Sequence, residues 1–123
     1  MIRACGGFVG GLECPMADRI CPRFQAAADL LGRRWAGLVV RALQRGPARF
    51  ATLAGQLEVV GDRMLALRLR DLEEHGVVER RLLPDRGVEY RLTRKGRALG
   101  RVMVALGRWA EEWVQLPHRG AHP

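Results

Sequence analysis

Arginine side chains recur between residues 62 and 70 at spacings that suit the recognition of a polyanion. The chain carries 21 Lys and Arg against 13 Asp and Glu, which gives a formal net charge of +8. A guanidinium group presents a planar fork that binds a phosphate or a guanine edge through two hydrogen bonds. Arg63 and Arg70 lie on the opposite helical face from Leu65 and Leu69, so both arginines are predicted to face a partner. The favoured partner of so basic a domain is nucleic acid, with an ordinary solvated surface as the alternative.

Seven residues are predicted to contact double-stranded DNA. Within residues 62–70, Arg63 and Arg70 suit the O6 and N7 atoms of guanine, whereas Ala66 and Leu67 suit the methyl group of thymine. Arg49 precedes a short helix whose N-terminal amides attract a phosphate. Arg86 lies on a tight turn that suits contact with the DNA backbone, and a solvated turn residue is the alternative. The predicted set is Arg49, Asp62, Arg63, Ala66, Leu67, Arg70 and Arg86.

The cysteines supply a second kind of chemistry, thiol oxidation. Cys21 immediately precedes Pro22, which suits the first position of a helix, and Arg19 and Arg23 lie close to it in sequence. A helix N-terminus and nearby cations stabilise a thiolate, the form that attacks peroxides, quinones and disulfides. Cys21 is therefore predicted to be the most oxidant-responsive thiol, and an unreactive structural thiol is the alternative.

Two further cysteines precede Cys21 in a Gly-rich segment. Cys5 and Cys14 suit the role of resolving thiols, because a flexible arm can bring either one to Cys21 of the same or a partner subunit. An odd number of cysteines fits a secreted disulfide scaffold poorly. A metal site that combines the cysteines with His118 or His122 is the alternative. The spacings match no strong zinc pattern, so no metal is predicted.

Catalytic and membrane functions find no support in the sequence. There is no phosphate-cradling Gly loop, no His-Glu-x-x-His pattern, no nucleophile elbow and no convergent carboxylate pair. We therefore expect neither an enzyme nor a bound cofactor. The longest apolar stretch is interrupted by Arg33, Arg34 and Arg41, and it falls short of the roughly 18 to 20 residues that span a bilayer. We expect a cytoplasmic protein without a membrane partner.

These side chains need a scaffold, and the spacing of the apolar residues predicts five helices. The predicted helices cover residues 22–32, 35–45, 50–57, 62–75 and 94–113. Gly76 suits the left-handed residue that ends the fourth helix, and Thr93 suits the cap of the last. The fourth helix is amphipathic, and the face that it leaves to solvent carries the arginines described above.

Between the last two predicted helices the pattern of residue types changes to that of two strands joined by a tight turn. Residues 77–83 and 88–92 are predicted to be strands, with a tight turn over residues 84–87. Helices followed by a hairpin predict a mainly α fold with a small β-hairpin (α+β), a winged helix-turn-helix. Helix 62–75 is then the recognition helix. The predicted organisation is a flexible arm over residues 1–20, a DNA-binding and dimerisation domain over residues 21–116 and a loose tail over residues 117–123.

Several motifs occur together and in order from Cys21 to about Trp113. They are Cys21-Pro22, Leu31-Gly32-Arg33-Arg34-Trp35, Gly46-Pro47-Ala48-Arg49-Phe50, Met64-Leu65 with Arg68-Leu69-Arg70-Asp71-Leu72-Glu73, Gly76-Val77-Val78, and residues 88–96. In these motifs the chain resembles the HxlR-type winged-helix regulators, which are relatives of the MarR group. The resemblance covers most of the chain.

The resemblance implies a homodimeric bacterial transcription factor whose first and last helices make the dimer contacts. Some members of the family sense oxidants or electrophiles through an N-terminal cysteine, and the resemblance carries that role to Cys21 alone. The chain departs from the family at Gly61, where relatives usually have a small hydroxyl residue that opens the recognition helix. The contact of that hydroxyl with DNA is therefore not carried over.

The sequence thus predicts a dimeric, sequence-specific regulator that binds an inverted-repeat operator and has an oxidant or electrophile as effector. The last helix supports the dimer, because its apolar stripe is larger than a chain this small can cover alone. That stripe is Leu99, Met103, Leu106, Trp109 and Trp113. The alternatives are an architectural DNA binder of weak specificity and a winged-helix module that binds other proteins.

Overall fold

The computed structural model describes residues 21 to 117, and these form five helices and three strands. They are, in chain order, α1 (Pro22–Gly32), α2 (Ala36–Leu43), β1 (Ala48–Arg49), α3 (Phe50–Gln56), α4 (Asp62–Glu74), β2 (Val78–Leu82), β3 (Val88–Leu92) and α5 (Arg94–Trp113). The predicted winged helix-turn-helix is confirmed. The chain divides between Gly37 and Leu38 into two compact units, which are described separately.

The first unit contains α1, whose N-terminus is capped by a cysteine. The Sγ atom of Cys21 accepts a hydrogen bond from the backbone N–H of Phe24 at 3.4 Å, and Pro22 lies in the first turn. A proline suits that turn because its missing N–H has no helical partner there. After α1, Trp35 adopts a left-handed φ of 72°. The predicted position of Cys21 at the start of the first helix is confirmed.

The second unit is built on an aliphatic core shared by α2, α3, α4 and the start of β2. Its most buried side chains are Val39, Val40, Leu43, Leu53, Leu65, Leu69, Leu72, Val77 and Val78. Burial of such a side chain contributes about 1.5 to 3 kcal/mol to folding. Three of these leucines lie on one stripe of α4, so the other sides of that helix face solvent.

The sheet has one strand more than the predicted hairpin. β2 and β3 pair antiparallel, with Val78 opposite Leu92 and Leu82 opposite Val88. β1 adds a third, antiparallel strand on the other edge of β3, where Ala48 lies opposite Tyr90. A strand of two residues has no periodicity, and for this reason the apolar pattern did not indicate it. The predicted 77–83 strand is shorter than expected and begins at Val78.

The start of α5 is joined to the end of α4 through Thr93. Its Oγ1 atom accepts from the backbone N–H of Gly96 at 3.1 Å and donates to the carbonyl oxygen of Gly76 at 2.5 Å. Gly76 has the left-handed φ of 74° that was predicted for the end of the fourth helix. A Cβ atom at Gly96 would overlap the carbonyl oxygen of Val77. The first turn of α5 therefore packs directly against the backbone of residues 76 and 77, which follow α4.

Lys95 explains how cations are tolerated in the first turn of α5, where the helix dipole disfavours positive charge. Its Nζ atom donates to the carbonyl oxygen of His75 at 2.6 Å. His75 is the C-cap residue of α4, so the ammonium group lies at the negative end of the neighbouring helix dipole. This contact within the protein offsets the penalty for Lys95 without a phosphate.

The outward side of α5 is strongly apolar, although the predicted stripe is not exposed throughout. Met103 is only 2% exposed, so this residue belongs to the core of the protomer and not to the predicted dimer surface. Leu99 is half-buried. The exposed apolar side chains of the helix and of the residues that follow it are Val102, Val104, Leu106, Trp109, Trp113, Val114 and Leu116.

Candidate nucleic-acid interface

The N-terminus of α4 is shaped by a glycine. Gly61 is the N-cap residue and has φ 85° and ψ 149°, a conformation that side chains with a Cβ atom rarely adopt. No side chain caps the helix at this position. Asp62 follows in the first turn, where its negative charge interacts favourably with the helix dipole. Gly61, where the resemblance led us to expect a small hydroxyl residue, thus has a backbone conformation that favours glycine.

Five of the seven predicted DNA contacts lie together on α4. Leu65, Leu69 and Leu72 are fully buried, which turns the predicted residues toward solvent. A depression of about 650 Å³ is lined by Val60, Gly61, Asp62, Arg63, Met64, Ala66, Leu67 and Arg70. Leu67 is 44% exposed and, with Met64 and Ala66, forms the apolar part of this surface. The surface combines two guanidinium groups with an apolar patch, which is the chemistry needed to read guanine and thymine edges in the major groove.

A second depression, of about 270 Å³, continues from α4 onto the sheet. It is lined by Ala66, Arg70, Glu73, Arg80 and Tyr90. The sequence interpretation missed Arg80 and Tyr90 as parts of this surface. The alternation of side chains along β2 and β3 was the available signal, because Arg80 and Tyr90 lie opposite each other in the register and share one face of the sheet. The α4 surface is therefore extended by a further arginine and an aromatic ring.

Arg86 lies in the turn between β2 and β3, and its backbone has a left-handed φ of 71°. Two hydrogen bonds close the turn: the N–H of Arg86 donates to the carbonyl of Leu83, and the N–H of Leu83 donates to that of Gly87, both at 2.8 Å. The Arg86 side chain is exposed. It is available for the predicted contact with the DNA backbone.

Arg49 lies at the same turn, because an ion pair joins it to Asp85. The Arg49 Nη2 and Asp85 Oδ2 atoms are 2.7 Å apart, and about half of each side chain remains exposed. Asp85 also accepts a hydrogen bond from the backbone N–H of Gly87 at 2.9 Å. Arg49, and then the Gly87 N–H, lower the pKa of Asp85 below its usual value, so the carboxylate is ionised at neutral pH. The predicted phosphate-binding arginine is thus engaged by a carboxylate.

Arg68 differs from the other α4 arginines. Its Nη1 atom lies 2.8 Å from an Oδ atom of Asp71, one helical turn away, and both side chains are largely buried. The spacing of the two residues favours such a pair. Arg68 therefore stabilises the helix and is not part of the exposed surface of α4.

Cys21 is 4% exposed and disulfide-bonded, and its Sγ atom caps α1 as described above. The other two cysteines that were predicted to take part in redox chemistry, Cys5 and Cys14, lie outside the described residues. His118 and His122 also lie outside them.

Across residues 21 to 117, no group of three His, Cys, Asp or Glu side chains is placed to hold a metal ion. None of the helices in this range is long and apolar enough to span a membrane.

Comparison with known proteins agrees with the fold. Residues 30–118 match the family described as HxlR-like helix-turn-helix. The HTH-type transcriptional regulator YodB of Bacillus subtilis (strain 168) is 38% identical over 102 residues, which are 81% of this chain and 91% of YodB. The uncharacterized HTH-type transcriptional regulator YvaP of the same strain is 41% identical over 99 residues, 79% of this chain and 92% of YvaP.

Solved structures give the same result. The reduced form of B. subtilis YodB aligns with a TM-score of 0.72 at 37% identity and covers 81% of this chain and 100% of that chain. YodB has also been solved after diamide treatment and with quinone bound. The redox regulator HypR in its oxidized form aligns with a TM-score of 0.70 at 29% identity, covering 76% of this chain and 98% of that chain.

Proposed function

The chain belongs to the HxlR-like helix-turn-helix family of transcriptional regulators, which are not enzymes, and we propose that it is a homodimeric, sequence-specific DNA-binding regulator controlled by thiol oxidation. The observation that carries the proposal is the α4 surface, where Arg63, Leu67 and Arg70 line one exposed depression. This function places the protein in the compartment that contains DNA, which for a bacterial protein is the cytoplasm.

In the proposed complex, α4 enters the major groove and the turn between β2 and β3 approaches the adjacent phosphates. Arg63 and Arg70 read guanine edges, and Ala66 and Leu67 contact thymine methyl groups. Arg80 and Tyr90 extend that surface toward the sheet. Arg86 contacts the DNA backbone from the hairpin turn, and Arg49 does so from the start of α3 while it is paired with Asp85. Such contacts carry little sequence information.

The proposed dimer joins two chains through α5. Exposed side chains such as Leu106, Trp109 and Trp113 form an apolar surface that is costly to leave in water. A two-fold dimer presents two recognition helices to major grooves about 34 to 36 Å apart, and this spacing matches an inverted-repeat operator.

The proposed effector is an oxidant or an electrophile, and Cys21 is the proposed sensor. Two observations support this: the cap position of the Cys21 sulfur at the start of α1, and the relatives, of which one is named a redox regulator and another has been solved with quinone bound. Cys5 and Cys14 are the proposed resolving thiols.

Genomic footprinting with reduced and with diamide-treated protein tests the whole proposal. We expect protection of one short inverted repeat by one form and loss of that protection in the other. Uniform coating of DNA would indicate an architectural protein instead. Absence of DNA binding at low salt would indicate a module that binds proteins.

A further inference from the structure

The ion pair between Arg49 and Asp85 links two elements that are far apart in sequence. Arg49 is the N-cap residue of α3, and Asp85 lies in the turn between β2 and β3. β1 supports the hairpin only up to the pairs Ala48 with Tyr90 and Arg49 with Glu89, so the turn extends beyond the three-stranded part of the sheet. Among the described residues, the Arg49–Asp85 pair is the ion pair that ties this turn to the helix-turn-helix.

We propose that this ion pair is a clamp that fixes the hairpin turn against the start of α3, and that Asp85 is a positioning residue for the DNA contact of Arg86. The inference rests on the proposed DNA-binding function. With the clamp closed, Arg86 is held in one position relative to the phosphate backbone.

The charge of Asp85 is the first argument. A carboxylate on a surface that binds phosphates repels them, and here it also neutralises an arginine. An ion pair exposed as this one is adds little to the stability of a fold. Neither attraction to DNA nor the stability of the fold explains why residue 85 is a carboxylate. A role in holding the turn in place does explain it.

Gly87 is the second, independent argument. Its backbone does not have the positive φ that favours glycine. A Cβ atom at this residue would instead lie 2.6 Å from Nη1 of Arg49 and 3.0 Å from Oδ1 of Asp85. The absence of a side chain at Gly87 therefore leaves the space that the Arg49 guanidinium occupies, and the Gly87 N–H holds the second carboxylate oxygen at 2.9 Å.

The test uses two variants that open the clamp by different means. Asp85→Asn removes a negative charge, and Gly87→Ala pushes the guanidinium away without changing any charge. Glu89→Gln is the matched control, because Glu89 is a carboxylate of the same hairpin and its side chain has no hydrogen bond or ion pair with a described residue. Operator affinity is measured by fluorescence anisotropy at several salt concentrations with the full chain.

We expect Asp85→Asn and Gly87→Ala each to weaken operator binding about three- to tenfold and to reduce the salt slope by up to about one unit, as for one lost phosphate contact. Asp85→Glu, which keeps the charge, should recover most of the affinity. Glu89→Gln should bind as tightly as wild type or more tightly. Weaker binding by Asp85→Asn would be diagnostic of the clamp. By charge alone, the loss of an anion and the release of Arg49 would make DNA binding tighter.

Failure of the clamp proposal can be distinguished from failure of the proposed DNA-binding function. If wild type binds the operator and Asp85→Asn binds equally or more tightly, the clamp is wrong and the DNA-binding proposal stands. The same conclusion follows if Gly87→Ala has wild-type affinity. If wild type binds neither operator nor random DNA, the proposed function is wrong and the clamp with it.

Discussion

Arg63 and Arg70 extend from the exposed side of α4, whereas Arg86 lies on a four-residue turn that has room for little more than a phosphate contact. Substitution of Arg63 or Arg70 by Ala is expected to reduce discrimination between operator and random DNA by about 1 to 3 kcal/mol, because each variant would lose the bidentate base contact proposed for that arginine. Arg86→Ala should weaken binding to both DNAs alike and make the salt slope shallower by about one unit.

Anisotropy titrations of the three variants on operator and scrambled duplexes measure this difference. Arg68→Ala is the matched control, because Arg68 pairs with Asp71 along the helix and does not belong to the exposed surface. It should cost stability and leave sequence preference intact. Equal losses on both duplexes for the Arg63, Arg70 and Arg86 variants would contradict the assignment of base and phosphate contacts.

Cys21 is expected to carry the response to oxidants. Treatment of the reduced wild type with diamide or a quinone should change operator affinity, and Cys21→Ser should remove that response. The serine hydroxyl keeps a cap for α1, so the variant tests the sulfur chemistry and not the helix end. Gel shifts before and after treatment measure the effect. An identical response of wild type and variant would make Cys21 a structural residue.

Which of these residues could be found from the sequence depends on how far apart their partners lie. Arg68 and Asp71 are one turn apart, and the α4 surface follows from helical period, so both are visible in the sequence alone. Asp85 is 36 residues from Arg49. Their pairing depends on β1, whose two residues carry no periodic signal, and for that reason it emerged only from the structure.

The helices were predictable because each repeats its apolar spacing over several turns, and because Pro22, Gly76 and Thr93 mark their ends. The way in which α5 packs against the end of α4 could not be predicted. It depends on Thr93 reaching the Gly76 carbonyl, on Lys95 reaching the His75 carbonyl, and on the absence of a side chain at Gly96. None of these contacts has a signature in a single sequence.

Gly96→Ala tests that junction. A Cβ atom there would overlap the Val77 carbonyl, which is backbone and cannot rotate away, so the free energy of unfolding should fall by about 1 to 3 kcal/mol. Urea denaturation measures this change. Gly55→Ala is the control, since its Cβ atom would meet nothing within 4 Å in α3. That variant should be about 0.5 to 1 kcal/mol more stable, because alanine favours the helix. Similar effects for the two variants would contradict close packing at Gly96.

The assembled molecule is expected to be a dimer that depends on the outer side of α5. Trp109 is 57% exposed, and Trp109→Glu should place a charge in the interface, shift the protein to monomers and reduce operator affinity at least tenfold. The tenfold figure is about 1.4 kcal/mol. Sedimentation velocity and anisotropy measure the two effects.

Val104→Glu is the matched control for the dimer. Val104 is 42% exposed on the same helix, and residues five apart diverge by about 140° around the axis. This variant should remain dimeric with unchanged affinity. A monomeric wild type at micromolar concentration with full operator affinity would contradict the dimer.

The close contact of the first turn of α5 with the backbone of residues 76 and 77, directly after α4, makes the last helix a lever arm. α5 has 20 residues and is therefore about 30 Å long. Its amino end adjoins α4, the proposed recognition helix, and its carboxyl end carries Trp109 and Trp113. In a dimer joined at that far end, a tilt of about 10° displaces the recognition helix by about 5 Å. One base step rises only about 3.4 Å along the duplex. A change of about 10° at the subunit contact is thus enough to shift α4 by more than one base pair along its half-site.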